Sequence, residues 1–173
     1  MVDYKNPLLG VRLGQRAAEE GFDIRVRFVG EGPALTSVFE SAKAAGISNR
    51  LEASGRLSHH DTLTLIRKSR ALVLPSLCFE NSPMTVYEAL AAGTPPIVSS
   101  RGGAGELFTN GIHGYCVDPQ YENPWWDAFR SLIDGDERYQ RMSAAARQHA
   151  RANFSLDEHC RRIETLYDRV IAG

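Results

Sequence analysis

The stretch that decides the fold spans residues 71–98, and its sequence is ALVLPSLCFENSPMTVYEALAAGTPPIV. Its first four residues are all apolar, as in a strand that is covered on both faces. Pro83 then favours the start of a helix, and Gly93 favours its end. Residues 97–98 predict a second strand, which we expect to begin late because Pro96 precedes it. A strand, a helix and a strand in this order predict a right-handed crossover between parallel strands.

The same alternation of helices and strands extends in both directions along the chain. Residues 7–20 predict a helix, and residues 24–29 predict a strand because apolar side chains alternate with arginines. After the next helix, a short strand leads to Gly55. Ser58, with Asp61 three positions later, resembles a capping box for another helix. A strand at residues 115–117 and helices from Trp125 to the chain end complete the pattern. The apolar stripe of the helix after the first of these strands consists of Leu35, Val38, Phe39 and Ala42.

Together these elements predict an α/β fold, a Rossmann-like doubly wound parallel sheet of about five or six strands with helices on both faces. The chain has 173 residues, which suits a single domain with its own core. In such a sheet, ligands bind at the carboxyl ends of the strands. The candidate site therefore comprises the loops that follow the predicted strands, at residues 30–33, 55–57, 77–85 and 99–106.

Composition excludes several classes of protein. The net charge is −1, so no general positive field attracts nucleic acid or anionic lipid. No apolar run approaches the ~20 residues that a membrane span requires, and residues 1–13 lack the pattern of a signal peptide. Three cysteines at positions 78, 116 and 160 fit free thiols in a reducing compartment. We expect a cytoplasmic protein.

Two glutamates flank the helix start in the central unit. Glu80 precedes the helix, and Glu88 lies inside it. The first free N–H groups, those of Met84 and Thr85, give this end a positive character that suits a phosphate. Carboxylates accept hydrogen bonds from sugar hydroxyls, so a nucleotide-sugar, with hydroxyls at both ends and phosphates between, fits the layout. From the spacing alone, an ordinary turn with two solvated glutamates remains the alternative.

Residues 80–95 closely resemble the two-glutamate motif of the retaining glycosyltransferase family 4, which has the GT-B fold. Residues 29–33 resemble the strand-end glycine turn of that family, and residues 55–57 resemble its nucleobase-binding turn. Further glycine motifs between residues 102 and 115 follow in the same order. The resemblance covers nearly the whole chain, and it implies a donor-binding domain for retaining transfer of a sugar to an acceptor hydroxyl.

The resemblance also implies the catalytic residues. Lys5 would neutralise the leaving diphosphate, and Glu80 would hold hydroxyls of the donor sugar near the reacting carbon. A cation and a helix start can stabilise this charge without a metal, so we expect no metal and no cofactor besides the nucleotide-sugar substrate. Residues 134–136 match the D-x-D metal motif of another glycosyltransferase fold, but turn and capping roles explain them better.

The same resemblance implies the residues that bind the nucleotide-sugar. Glu88 would accept the ribose hydroxyls, and the backbone around Arg56 and Leu57 would contact the base. Pro83 stands where the family often has glycine, which removes one possible N–H donor. The residues implied for donor binding are Gly30, Gly32, Arg56, Leu57, Ser82, Met84, Thr85 and Glu88.

The resemblance also implies how the domains are organised. The family has an arginine a few residues before the lysine, after a first strand, whereas only four residues precede Lys5 here. We therefore expect residues 1–173 to be one C-terminal donor-binding domain whose first strand is truncated, and the N-terminal acceptor domain to be absent. A saccharide or lipid-linked acceptor would bind that domain, in an enzyme of cell-surface polysaccharide synthesis that lies in the cytoplasm or peripherally at the membrane. Alone, the chain would transfer nothing.

Two other functions remain open at the level of sequence. A GT-B nucleotide-sugar epimerase would share the donor site and would need groups from another domain. A non-catalytic nucleotide- or phosphate-binding module on a doubly wound sheet would need only the strand-end loops. Nucleotide titration separates the non-catalytic module from the two enzymes, and analysis of the products of the full-length protein separates transferase from epimerase.

Overall fold

The computed structural model describes residues 1–172 and contains five parallel strands. The strands are β1 (Val26–Phe28), β2 (Leu51–Ala53), β3 (Leu72–Leu74), β4 (Pro96–Ser99) and β5 (Tyr115–Val117). The helices are α1 (Leu8–Glu19), α2 (Ala34–Ala44), α3 (His59–Lys68), α4 (Met84–Ala92), α5 (Glu122–Ile133), α6 (Asp136–Asn153) and α7 (Leu156–Ala172). The alternating order of strands and helices confirms the predicted α/β class.

Helices cover both faces of the sheet around β4. Ile97 packs with α1 and α5, whereas its neighbour Val98 packs with α4 and α6. Successive side chains of a strand point to opposite faces, so these two clusters are the two sides of a doubly wound arrangement. A third cluster joins α1 and α2 to β1 and β2. The tryptophans of α5, Trp125 and Trp126, are each 1% exposed and belong to the first cluster.

The strands form two sheets within residues 1–172, where the sequence predicted one. β1 pairs with β2 in a two-stranded sheet, and β3, β4 and β5 form a three-stranded sheet in that order. β3 has a strand neighbour on one side only, and its side chains are half-buried where the sequence predicted full coverage. All four residues of β4 are buried because both of its edges are paired.

Local signals place most element boundaries correctly. The Ser58 hydroxyl accepts a hydrogen bond from the backbone N–H of Asp61 at 3.1 Å, which confirms the predicted cap of α3. β4 begins at Pro96 itself, earlier than predicted; proline has no N–H to donate, and the first position of a strand tolerates this. Phe39 was predicted to lie in the apolar stripe of α2, but it is 44% exposed because the narrow contact face of that helix uses Val38 and Ala42.

α7 ends the described chain and exposes its apolar stripe. The helix has an amphipathic sequence, yet none of its residues is buried. Exposure is 53% at Leu166, 72% at Val170 and 84% at Ile171. The apolar stripe was correctly predicted, and within residues 1–172 nothing covers it.

Candidate functional site

Four loops come together at the carboxyl ends of β1, β2, β3 and β4. The loops after β1 and β2 are joined by a hydrogen bond of 2.7 Å from the Gly30 N–H to the Gly55 carbonyl. The first residues of the chain reach the loop after β3, where the Leu77 N–H donates to the Tyr4 carbonyl at 2.7 Å. Parallel strands bring these ends to one edge, which is where a doubly wound sheet binds ligands.

Lys5 and Glu80 form an ion pair at this edge. Lys5 ends a short 3-10 helix at Asp3–Lys5, and its Nζ contacts Oε1 of Glu80, which lies in the loop between β3 and α4. The Ser76 hydroxyl donates to the same oxygen at 2.6 Å. The Glu80 side chain is 16% exposed and the Lys5 side chain is 39% exposed. The structure thus brings together the two residues predicted to be catalytic, although they are far apart in sequence.

The pairing shifts the pKa of both groups. Partial burial acts to raise the pKa of Glu80, but hydrogen bonds from Lys5 and Ser76 and the charge of Lys5 outweigh it, and the net pKa lies below the ordinary value. Partial burial acts to lower the pKa of Lys5, but the hydrogen bond to Glu80 and its charge outweigh it, and the net pKa is raised. Both groups therefore stay charged at neutral pH.

The loop after β4 braces the loop that carries Glu80. Glu80 and Gly102 form a parallel β-bridge, and the Gly103 N–H donates to the Glu80 carbonyl at 2.7 Å. The Arg101 guanidinium donates to the Leu77 carbonyl at 2.8 Å. These contacts hold the backbone on both sides of the carboxylate, so the position of Glu80 depends on two neighbouring strands.

The start of α4, which the sequence predicted to bind an anion, follows the loop that carries Glu80. The helix begins at Met84, after Pro83 in an extended conformation, so the first N–H groups of the helix have no acceptor within it. Met84 is 68% exposed. The Ser82 hydroxyl forms a 2.8 Å hydrogen bond with the hydroxyl of Tyr87 in the same helix, which ties the loop to the helix.

Glu88 lies on α4 and faces α3. Its side chain is 15% exposed, and its Oε1 lies 3.4 Å from Nδ1 of His59, the first residue of α3. The His59 side chain is 73% exposed and lies beside the carboxylate predicted to accept the ribose hydroxyls. α3 follows the loop with Arg56, which is exposed, and Leu57, which is half-buried.

Gly30 and Gly32, the two glycines predicted to bind the donor, have a positive φ. Gly30 has φ +111° and Gly32 has φ +145°. A Cβ on Gly32 would lie 1.8 Å from the backbone nitrogen of Met1. Gly32 therefore packs against the first residue of the chain, whereas no atom lies within 4 Å of a Cβ built on Gly30.

Sequence reasoning missed Ser76 and the bracing residue Arg101. Ser76 follows the end of β3 by two residues, so its place after a buried strand was a usable signal. Its contact with Glu80 needs the tertiary structure, because the direction of the side chain depends on how the loop turns after Pro75. Arg101 gave no signal by itself, since a lone arginine in a loop is usually solvated.

Two surface depressions lie away from these residues. One of about 440 Å³ is lined by one face of α6, and one of about 510 Å³ lies between β5 and α5. Neither is lined by Lys5, Glu80 or Glu88. In residues 1–172, no cluster of three or more acidic, histidine or cysteine side chains is arranged to hold a metal ion. No helix of that part is both long and apolar enough to cross a membrane.

Comparison with known proteins assigns the chain to a family. The family model described as glycosyl transferases group 1 matches residues 2–149. The glycogen synthase of Mycobacterium tuberculosis is 34% identical over 125 residues, which are 72% of this chain and 30% of that protein. The D-inositol 3-phosphate glycosyltransferase of Corynebacterium diphtheriae is 29% identical over 149 residues, 84% of this chain and 34% of that protein. The chain thus spans about a third of these relatives.

Solved structures confirm the predicted fold. Anabaena HepE, crystallised in complex with UDP, superposes with a TM-score of 0.87 at 18% identity, covering 96% of this chain and 46% of HepE. The described residues therefore have the architecture of the C-terminal half of a GT-B enzyme, with parallel strands between helices.

Proposed function

Because the chain belongs to the glycosyl transferases group 1 family, we propose that it binds a nucleoside-diphosphate sugar for retaining transfer to an acceptor hydroxyl, as in glycosyltransferase family 4. The observation that carries the proposal is the Lys5–Glu80 ion pair just before α4. It combines a cation for the diphosphate with a carboxylate for the sugar. Such opposite groups at one strand edge suit a ligand with both phosphates and hydroxyls.

The proposed roles follow from charge. In transfer, the bond between the anomeric carbon and the diphosphate oxygen breaks, and that oxygen keeps the electron pair. Lys5 and the free N–H groups at Met84 and Thr85 stabilise the negative charge that develops. The acceptor oxygen forms the new bond to the anomeric carbon, and its proton passes to the departing diphosphate oxygen. Glu80 accepts hydrogen bonds from the sugar hydroxyls and so fixes the reacting carbon.

We assign the nucleoside half of the ligand to the loops after β1 and β2 and to Glu88 of α4. Glu88 accepts the ribose hydroxyls, and the backbone around Arg56 and Leu57 contacts the base, while the turn at Gly30 and Gly32 borders the phosphates. Glu88 supports this role because it is mostly buried and keeps a carboxylate oxygen at the α3–α4 contact. The UDP bound to Anabaena HepE supports the choice of ligand class.

The proposed reaction requires no metal ion, since Lys5 and the start of α4 supply the positive charge. The test is transfer by the complete enzyme after treatment with EDTA. We expect the rate to be unchanged. A loss that Mg²⁺ or Mn²⁺ restores would contradict this part of the proposal.

The proposal assigns the acceptor, a saccharide or a lipid-linked saccharide, to a second domain of a larger enzyme at the cytoplasmic side of a membrane. The chain spans about a third of its curated relatives, and the exposed stripe of α7 offers a surface for such a domain. The unpaired edges of β1 and β3 support a further strand between the two sheets. Incubation of residues 1–173 with donors and acceptors should give no product, whereas multiple turnovers would contradict this assignment.

The central experiment is a panel of ligands added to the purified chain, with thermal unfolding as the readout. The panel consists of UDP, GDP, ADP and their sugars. We expect at least one nucleoside diphosphate to raise the unfolding temperature, because a ligand that binds only the folded state stabilises it. We expect an affinity near ~10⁻⁴ M. The matching nucleoside monophosphate should bind more weakly. The absence of stabilisation by every nucleotide would overturn the proposed function.

A further inference from the structure

The hydroxyl of Ser76 is buried directly beneath the carboxylate of Glu80. Ser76 is fully buried, and its Oγ lies 2.6 Å from Oε1 of Glu80. The residue follows the end of β3 by two positions, after the buried Pro75. The sheet therefore fixes the backbone that carries the hydroxyl, and the donor cannot move far from the carboxylate.

The protein contacts one oxygen of Glu80 and leaves the other open. Ser76 and Lys5 both donate to Oε1, and the Cys78 thiol donates a longer and weaker hydrogen bond to the same atom, at 3.8 Å. Within residues 1–172 the structure gives Oε2 no hydrogen bond from protein. A carboxylate has lone pairs on both oxygens, so Oε2 is the oxygen available to a ligand.

Lys5 and Ser76, the two stronger of the three donors to Oε1, respond differently to a bound diphosphate. Lys5 is a flexible, half-exposed cation, and the negative charge of a diphosphate attracts it away from Glu80. Ser76 is neutral and buried, so the ligand exerts no comparable attraction on it. Once Lys5 contacts the diphosphate, the Ser76 hydroxyl remains as the side-chain oxygen donor that orients Glu80.

We infer that Ser76 is a positioning residue for transfer: its hydroxyl fixes Oε1 of Glu80 so that Oε2 stays directed at the sugar hydroxyls after Lys5 has moved to the diphosphate. The inference rests on the proposed function and extends it, because it assigns different tasks to the two oxygens of one carboxylate. If the carboxylate of Glu80 is misoriented, the donor sugar is no longer held in the reactive orientation, while the nucleotide half of the ligand keeps its contacts.

The test compares Ser76→Ala with Ser143→Ala. Ser143 is also a buried serine, 6% exposed, but it lies in α6. In the complete enzyme, Ser76→Ala should lower kcat for transfer by about tenfold or more, as for loss of a hydrogen bond to a charged group, while the Kd for the nucleoside diphosphate stays within about twofold. Ser143→Ala should leave both constants near those of the wild type.

A second readout does not depend on transfer. Loss of the Ser76 donor should raise the pKa of the Glu80 carboxyl, measured by NMR on the ¹³C-labelled chain, because this hydrogen bond helps to lower it. Ser76→Cys keeps a similar volume but provides a weaker donor. In this variant, the pKa of Glu80 and the kcat for transfer should therefore fall between those of the wild type and of Ser76→Ala. If Ser76→Ala does not fold, the comparison of Ser76→Cys with the wild type decides.

The outcomes separate the two proposals. A wild type that binds no nucleoside diphosphate contradicts the proposed function, whatever Ser76 does. A wild type that binds and transfers, with a Ser76 variant that matches Ser143→Ala in kcat and in the pKa of Glu80, overturns the positioning role alone.

Discussion

The α-carbon of Gly102 lies against the backbone of Glu80. A Cβ on Gly102 would lie 2.3 Å from the Glu80 carbonyl oxygen, and Gly102 has φ +81° and ψ −163°, a region that is nearly restricted to glycine. The loop after β4 therefore lies directly against the backbone that carries the candidate catalytic carboxylate. No side chain fits between them.

The first prediction concerns this contact. Gly102→Ala should lower the free energy of unfolding by about 2 kcal/mol or more, because backbone strain of about 1–3 kcal/mol adds to the clash with Glu80. The matched control is Gly111→Ala: Gly111 has φ +78°, and in the described structure no atom beyond its chain neighbours lies within 4 Å of the added Cβ. This control should lower the free energy of unfolding by about 1–2 kcal/mol. Urea unfolding measures both. Equal losses in the two variants would show that the close approach to Glu80 does not matter.

The second prediction concerns the nucleoside half of the ligand. Glu88→Gln should weaken binding of the preferred nucleoside diphosphate by about 1–3 kcal/mol, because an amide is a poorer acceptor for ribose hydroxyls than a carboxylate. Titration calorimetry with UDP and GDP measures the change. Glu40→Gln, an exposed glutamate on α2, is the control and should bind like the wild type. Unchanged affinity of Glu88→Gln for the nucleotide that the wild type binds would reject the ribose role.

The third prediction separates the sugar from the nucleotide. Glu80→Ala should lower the rate of transfer in the complete enzyme by about 10-fold to 100-fold, since a hydrogen bond to a charged group is lost. The affinity for the free nucleoside diphosphate should not fall, because removal of the carboxylate frees Lys5 for the phosphates. Steady-state kinetics and calorimetry on the same variant provide both numbers. Transfer at the wild-type rate would leave Glu80 with a structural role only.

The fourth prediction concerns stability in acid. The pKa of Glu80 is lowered in the folded chain, so its contribution to stability is present above the ordinary glutamate pKa and is lost as the pH falls through the lower folded value. Between pH 6 and pH 3.5, the wild type should therefore lose more unfolding free energy than Glu80→Gln, which cannot titrate at this position. Chemical unfolding at the two pH values measures the difference. Parallel losses in both proteins would mean that the Lys5–Glu80 pair contributes no pH-dependent stability.

Features of the site that depend on neighbouring residues could be predicted from the sequence, whereas contacts between distant residues could not. The cap at Ser58 and the glycine that ends α4 act within a few residues, so the sequence alone predicted them. The predicted helix start at Pro83 is one residue early, since α4 begins at Met84. The contact of Lys5 with Glu80 was not predicted as a contact, although both residues were chosen. Their roles rest on family resemblance and stay predictions.

By itself, the sequence determined the class of fold and the edge where a ligand can bind. Alternating apolar periods of two and 3.6 residues, with glycine and proline at the boundaries, specify strands and helices in order, and parallel strands place their ends together. Only the tertiary structure decided which charged groups meet there: Lys5 and Glu80 are 75 positions apart, and a buried Ser76 lies between sheet and carboxylate. The reason is physical, because periodicity reports burial along one element, whereas a contact between distant side chains depends on how loops close across the sheet.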